Sequence, residues 1–139
     1  MALDLTSLRN GILSLGEALQ VAGSEKVSLF SAVEKKVIKA GVIQNFEFVY
    51  ELCWKFIQRW LAENQNPQDA ASPITRKELF RLAARRGLIK DPENWFTYSA
   101  ARNITAHTYN ARTAEMVYAQ AAPLLGDAKY LLGQLEKAA

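Results

Sequence analysis

One histidine occurs in the chain, His107, five residues after Arg102 and two before Tyr109, in the stretch SAARNITAHTYNAR at 99–112. Imidazole is the one side chain here that gains and loses a proton near neutral pH unaided, so His107 is the natural proton carrier. A guanidinium such as that of Arg102 can fork two hydrogen bonds onto an anion. On one regular helix, however, five residues turn through about 500° and leave the two positions roughly 140° apart. Asn103 and Thr105 are weak helix formers and Asn110 can cap a following helix. The expectation is therefore a helix that ends between Arg102 and His107 and lets the imidazole turn back. Spacing alone favours a plainer account: a lone histidine set against a helix C-terminal dipole, with Arg102 in a surface ion pair.

Other groups that could do chemistry have plainer readings too. Glu47 and Glu51 stand one helical turn apart, with Lys55 and Arg59 following at the same spacing. Two such carboxylates could share a metal or a proton. An exposed i,i+4 ladder, with Glu51 well oriented toward Lys55, explains them more simply. Lys77, Arg81 and Arg85 form a ladder of positive charge with Arg76, Arg86 and Lys90 nearby. A groove lined this way could hold a phosphate backbone, although a solvated helix face opposite Leu79, Leu82 and Ala83 is the preferred reading. Trp54, Trp60, Trp95, Phe46, Phe56 and Phe96 sit at core spacing. Cys53 falls in an apolar seam, as a small buried thiol rather than a nucleophile.

Helical periodicity supplies the elements that must position these groups. Leu5, Leu8, Ile12, Leu15 and Leu19 mark a helix over about 3–22, and Gly23 breaks it. A second, largely helical segment follows. The strongest pattern begins at Val42: Val42, Phe46, Val49, Cys53, Phe56 and Trp60 alternate steps of four and three. Phe48 and Leu52 lie off that seam, which widens the apolar arc enough for several neighbours or a subunit interface. Thr75 with Glu78 makes a capping-box pattern, framed by an Ile74–Leu79 staple, and Gly87 suits the helix end. Asp91 can cap a helix with Pro92 in its first position, and Asn110 can cap the last one, which should kink near Pro123. No alternating strand pattern appears. The expected fold is all-α: one domain over 1–139, an antiparallel bundle of about five helices.

Composition narrows the classes further. In 139 residues, half are apolar and 22% charged, with 17 Lys and Arg against 14 Asp and Glu. That describes a globular domain only mildly basic, for which a polyanion partner is permitted but not implied. A single cysteine rules out an intramolecular disulfide and suits a reducing cytoplasm. The N-terminus reads as an amphipathic helix rather than a signal peptide, and no apolar run is long enough for a bilayer. There is no phosphate loop, and no ligand set for zinc or another metal; no cofactor is expected. Gly23-Ser24 resembles the opening of a nucleotidyltransferase loop, but no Asp-x-Asp follows, so the chain is not itself such an enzyme.

Two blocks, IQNFEFVYELCWK at 43–55 and RNITAHTYNARTAE at 102–115, resemble the signature blocks of the HEPN superfamily branch called nucleotidyltransferase substrate-binding proteins. The second matches its Arg-x-x-x-x-His-x-Tyr pattern at Arg102, His107 and Tyr109, with the usual polar residue at Asn103. Pro123 departs from the family pattern without touching a motif residue. The resemblance implies a homodimeric helical bundle paired with a minimal nucleotidyltransferase. It also implies a metal-independent ribonuclease toxin whose antitoxin partner adenylylates Tyr109. An older account of such pairs makes this chain the substrate-binding subunit of a two-chain nucleotidyltransferase, and a bare helical dimerisation module is the third possibility. For RNA cleavage, His107 would move the proton and Arg102 would meet the charge on phosphorus, while Asn103 holds a phosphate or orients the imidazole. One histidine cannot easily serve as both acid and base, which argues for a cleft shared across a two-fold axis.

Overall fold

In a computed structural model that describes residues 3–64, 75–107 and 110–138, the chain forms five α-helices. They are α1 (Thr6–Ala22), α2 (Ala32–Glu63), α3 (Arg76–Arg85), α4 (Pro92–His107) and α5 (Ala111–Ala138), with one short 3-10 turn at Glu25–Leu29. No strand occurs among the described residues. No described helix is long and apolar enough to cross a membrane.

Capping chemistry sets most of the boundaries. Asp91 accepts from the Glu93 N–H at 2.9 Å ahead of Pro92, and Asn110 and Thr113 exchange backbone and side-chain bonds at 3.0 Å. The Thr75 hydroxyl accepts from the Glu78 N–H, while its expected staple partner Ile74 lies outside the described residues. At the end of α3, Gly87 takes φ +81°. Its N–H reaches the Ala84 carbonyl and the Leu88 N–H reaches Ala83, the paired bonds of a Schellman stop.

One expectation changes. The segment before Val42 is not one separate helix: Glu25–Leu29 is a 3-10 turn, and residues 32–41 are the first turns of α2, which Ser31 and Glu34 start with a full capping box. Helix α5 runs from Ala111 to Ala138 with Pro123 inside it. Proline there removes the N–H that would reach the Ala119 carbonyl. Leu124, Ala128, Leu131 and Leu135 on one buried stripe hold the second half in place.

Helix α2 is the axis of the bundle and packs against all four others. Val42, Phe46, Val49, Cys53 and Phe56 of the expected seam are buried, joined by Tyr50, Ile57 and Leu61, so the buried arc is wide. Each such side chain contributes roughly 1.5–3 kcal/mol by leaving water. A ring cluster completes the core, with Trp95 stacked on Phe80 and edge-on to Tyr98, both at 5.3 Å. Helices α1 and α2 run antiparallel and close: Ser14 bonds Asn45, and Gly11 faces Leu52 and Val49. Helix α4 runs antiparallel to α2 as well, since Tyr50 meets Ser99 while Glu47 meets Thr105. That pairing brings the middle of α2 to the C-terminal half of α4.

Candidate functional site

Arg102 projects from the third turn of α4 onto α2, where two carboxylates receive it. Its Nη1 lies 3.0 Å from Glu47 Oε2, and its Nε lies 3.5 Å from Glu51 Oε1. The second contact is an ion pair without hydrogen-bond alignment, since the buried Nε has no hydrogen-bond partner. The guanidinium side chain is 28% exposed, against 31% and 34% for the two glutamates. Thus Glu47 and Glu51 are not an exposed ladder reaching along α2; they are spent across the α2–α4 seam. Sequence reasoning missed this because the same i,i+4 spacing serves both arrangements equally well.

Both carboxylates have a second tether. Glu51 Oε2 accepts from Trp54 Nε1 at 2.9 Å, and Glu47 Oε2 can accept from the Thr105 hydroxyl at 3.2 Å. Thr105 has one proton to give, and its own helix carbonyl at Arg102, 2.8 Å away, competes for it. The network continues on the far side of Trp54, whose ring is covered by the Arg76 guanidinium at 3.7 Å. Arg76 also donates to the Tyr50 hydroxyl at 3.0 Å, and that hydroxyl shares a proton with Ser99. From Arg76 to Thr105, three helices are stitched along one seam.

The helix does not end between Arg102 and His107, as sequence spacing suggested. It continues to His107, and α5 begins at Ala111 behind the Asn110 cap. The Thr105 hydroxyl turns back onto its own helix, which lets a weak helix former sit there. In one chain, the backbone positions of Arg102 and His107 are therefore about 140° apart around α4 and about 7.5 Å apart along it. The side chain of His107 and the whole of Tyr109 lie outside the described residues. Asn103, next to Arg102, is exposed.

Lys77, Arg81 and Arg85 all lie on the exposed face of α3, with Leu79, Leu82 and Ala83 buried opposite. Lys77 and Arg81 flank the Phe96 ring of α4 at 5.4 and 5.3 Å, so the row is anchored rather than loose. The aromatic residues divide by place. Trp95, Phe46 and Phe56 are core, whereas Trp54, Trp60 and Phe96 are half-buried and carry cations on their faces. Cys53 is fully buried, and burial pushes its thiol far above the usual range, with the Asp127 charge adding to the effect. It is no nucleophile.

Comparison with known proteins gives a consistent picture. The family model described as nucleotidyltransferase substrate binding protein like matches residues 3–137. A Haemophilus influenzae protein named probable ribonuclease HepT is 35% identical over 136 residues, covering 97% of this chain and 93% of the relative. A solved Haemophilus influenzae structure, described as the fold of a substrate binding domain of a nucleotidyltransferase, superposes with a TM-score of 0.86 at 35% identity. That match covers 96% of this chain and 99% of the other. A structure from Thermus thermophilus follows at TM-score 0.70 and 25% identity, covering 92% and 98%.

Proposed function

Because the chain belongs to the nucleotidyltransferase substrate-binding-like family, we propose that it is a ribonuclease toxin whose site is completed by a second copy and silenced by a minimal nucleotidyltransferase. The observation that carries this reading is Arg102: a half-buried guanidinium held at a helix seam, five residues before the only histidine. Similarity to a probable ribonuclease over almost the whole chain supports the choice of RNA.

The chemistry needs no metal. His107 takes the proton of a ribose 2′-hydroxyl, whose oxygen attacks the adjacent phosphorus. The bond from phosphorus to the 5′-oxygen breaks, and a second copy's His107 protonates that oxygen as it leaves. Arg102 meets the charge on the phosphorane oxygens, with Asn103 beside it on a further phosphate. The splay of positions 102 and 107 on one helix supports a cleft built from two copies rather than one. So does an apolar strip on α2: Val33, Val37 and Phe48 are 71%, 65% and 59% exposed. They share with Glu47 and Glu51 a sector of about 100° on the α2 surface, so a copy docked on the strip would reach the Arg102 seam. Lys77, Arg81 and Arg85 would then track the RNA backbone without reading sequence.

The test is RNA incubated with the purified protein in excess EDTA. Cleavage should persist, and Arg102→Ala and His107→Ala should each lower its rate by about 10²–10⁴-fold with helicity and oligomeric state unchanged. Cleavage that dies with EDTA, or survives both substitutions, would refute the proposal. One observation favours a second reading: the structural relative is described as a substrate binding domain of a nucleotidyltransferase. On that reading the protein leaves RNA whole and raises the transfer rate of its partner enzyme.

A further inference from the structure

We propose that Glu47 and Glu51 are positioning residues: a tethered two-carboxylate cradle that fixes the orientation of Arg102 before RNA arrives. This rests on the ribonuclease reading for its consequence, though not for its geometry. An arginine side chain has four rotatable bonds and, left free, would have to be immobilised in every catalytic cycle. Here that ordering is already done. Glu47 takes the Nη1 end at 3.0 Å, and Glu51 faces Nε at 3.5 Å as an ion pair without hydrogen-bond alignment, so a carboxylate meets the guanidinium at each of two positions. The cradle is itself fixed, by Trp54 on Glu51 and by Thr105 on Glu47. Trp54 in turn lies under Arg76, which ties the cradle to the start of α3. A pair meant only to neutralise a stray charge would need none of these supports.

Charge balance says what the cradle does not do. Two carboxylates outnumber the one guanidinium between them, so the cradle by itself repels a phosphate, and even with Arg76 counted the seam is only neutral and draws no phosphate from a distance. Arg102 therefore contributes little to capturing RNA and acts once the scissile phosphate is against it. Capture falls to cations elsewhere, such as the row on α3. The two effects of losing a carboxylate charge should consequently have opposite signs: weaker turnover through a less ordered guanidinium, and tighter RNA binding through less repulsion. A residue that served stability alone would show no such split.

Glu47→Gln and Glu51→Gln preserve shape, and the second still offers Trp54 an acceptor. Each should lower kcat by about 10–100-fold, a usual range for supporting residues around a site. Dissociation constants for a 2′-O-methyl RNA, which cannot be cleaved, should fall severalfold, and weaker binding would count against the cradle. Independently of activity, the Arg102 Nε–H cross-peak in a nitrogen-15 spectrum, assigned by its loss in Arg102→Lys, should be sharp in the parent protein and broadened in Glu51→Gln. Unchanged kcat, a rise in kcat, or an unaltered cross-peak would overturn the cradle. If the parent protein cleaves no RNA, the ribonuclease reading fails instead, and the cross-peak alone decides whether Arg102 is held.

Discussion

Tyr98 on α4 donates its hydroxyl proton to Asp127 on α5 at 2.5 Å, with Asn94 reaching the same carboxylate oxygen at 3.4 Å. The phenol is only 2% exposed, and burial, then the bond to Asp127 and its charge, hold its pKa well above the ordinary value. Below about pH 10 both folded and unfolded states keep this proton. Above it the unfolded chain releases a proton that the folded one retains, so stability falls as pH rises. The contribution of this group should decline by about 1.4 kcal/mol per pH unit from about pH 10 upward. Tyr98→Phe should cost about 1.5–3 kcal/mol at about pH 8 and show a shallower alkaline decline. Denaturant unfolding at about pH 8, 10 and 11 measures both; parallel slopes would count against the assignment.

Gly87 offers a test of the α3 stop. Its φ of +81° is one an L side chain adopts at a cost of about 1–2 kcal/mol. Gly87→Ala should lower stability by that amount, a shift of several degrees in Tm. Gly126, an exposed helical position with nothing within 4 Å of an added Cβ, is the control. There alanine should stabilise by about 0.5–1 kcal/mol. Thermal unfolding of the two variants should move in opposite directions.

The proposed silencing by a minimal nucleotidyltransferase makes a prediction at Tyr109. An AMP group on its hydroxyl, two residues along the chain from His107, would add bulk and negative charge to the proposed RNA site and would oppose a phosphate there without refolding. Intact-mass measurement after co-expression with the nucleotidyltransferase should show one or more AMP additions, and Tyr109→Phe should lose them. Additions that persist in Tyr109→Phe would place the modification on another residue.

The local features were open to reading along the chain. Asp91, Asn110, Thr75 and Gly87 each cap or stop a helix as their types suggest, because caps act within three or four residues of themselves. The apolar spacing of α2 and the burial of Cys53 follow for the same reason. Ser31 and Glu34 carry an equally clear local signal, the capping box that marks the start of α2. Helix α4 runs past Asn103 and Thr105 to His107 for a local reason too: propensity there is worth tenths of a kcal/mol, and the Thr105 side-chain bond to the helix offsets it.

The helical segments, the caps at Thr75, Asp91 and Asn110, the stop at Gly87, the buried faces and the pattern of Arg102, His107 and Tyr109 are thus legible along the chain. All of these depend on neighbours a turn or two away. The start of α2 and the end of α4, by contrast, are not where spacing and propensity put them. Only the tertiary structure decided that Glu47 and Glu51 turn from their own helix to Arg102. A carboxylate's choice between a lysine one turn along and an arginine on another helix depends on where α4 crosses α2. That crossing is set by the collective packing of Tyr50, Phe46, Trp95 and Tyr98, not by the spacing of the charges themselves.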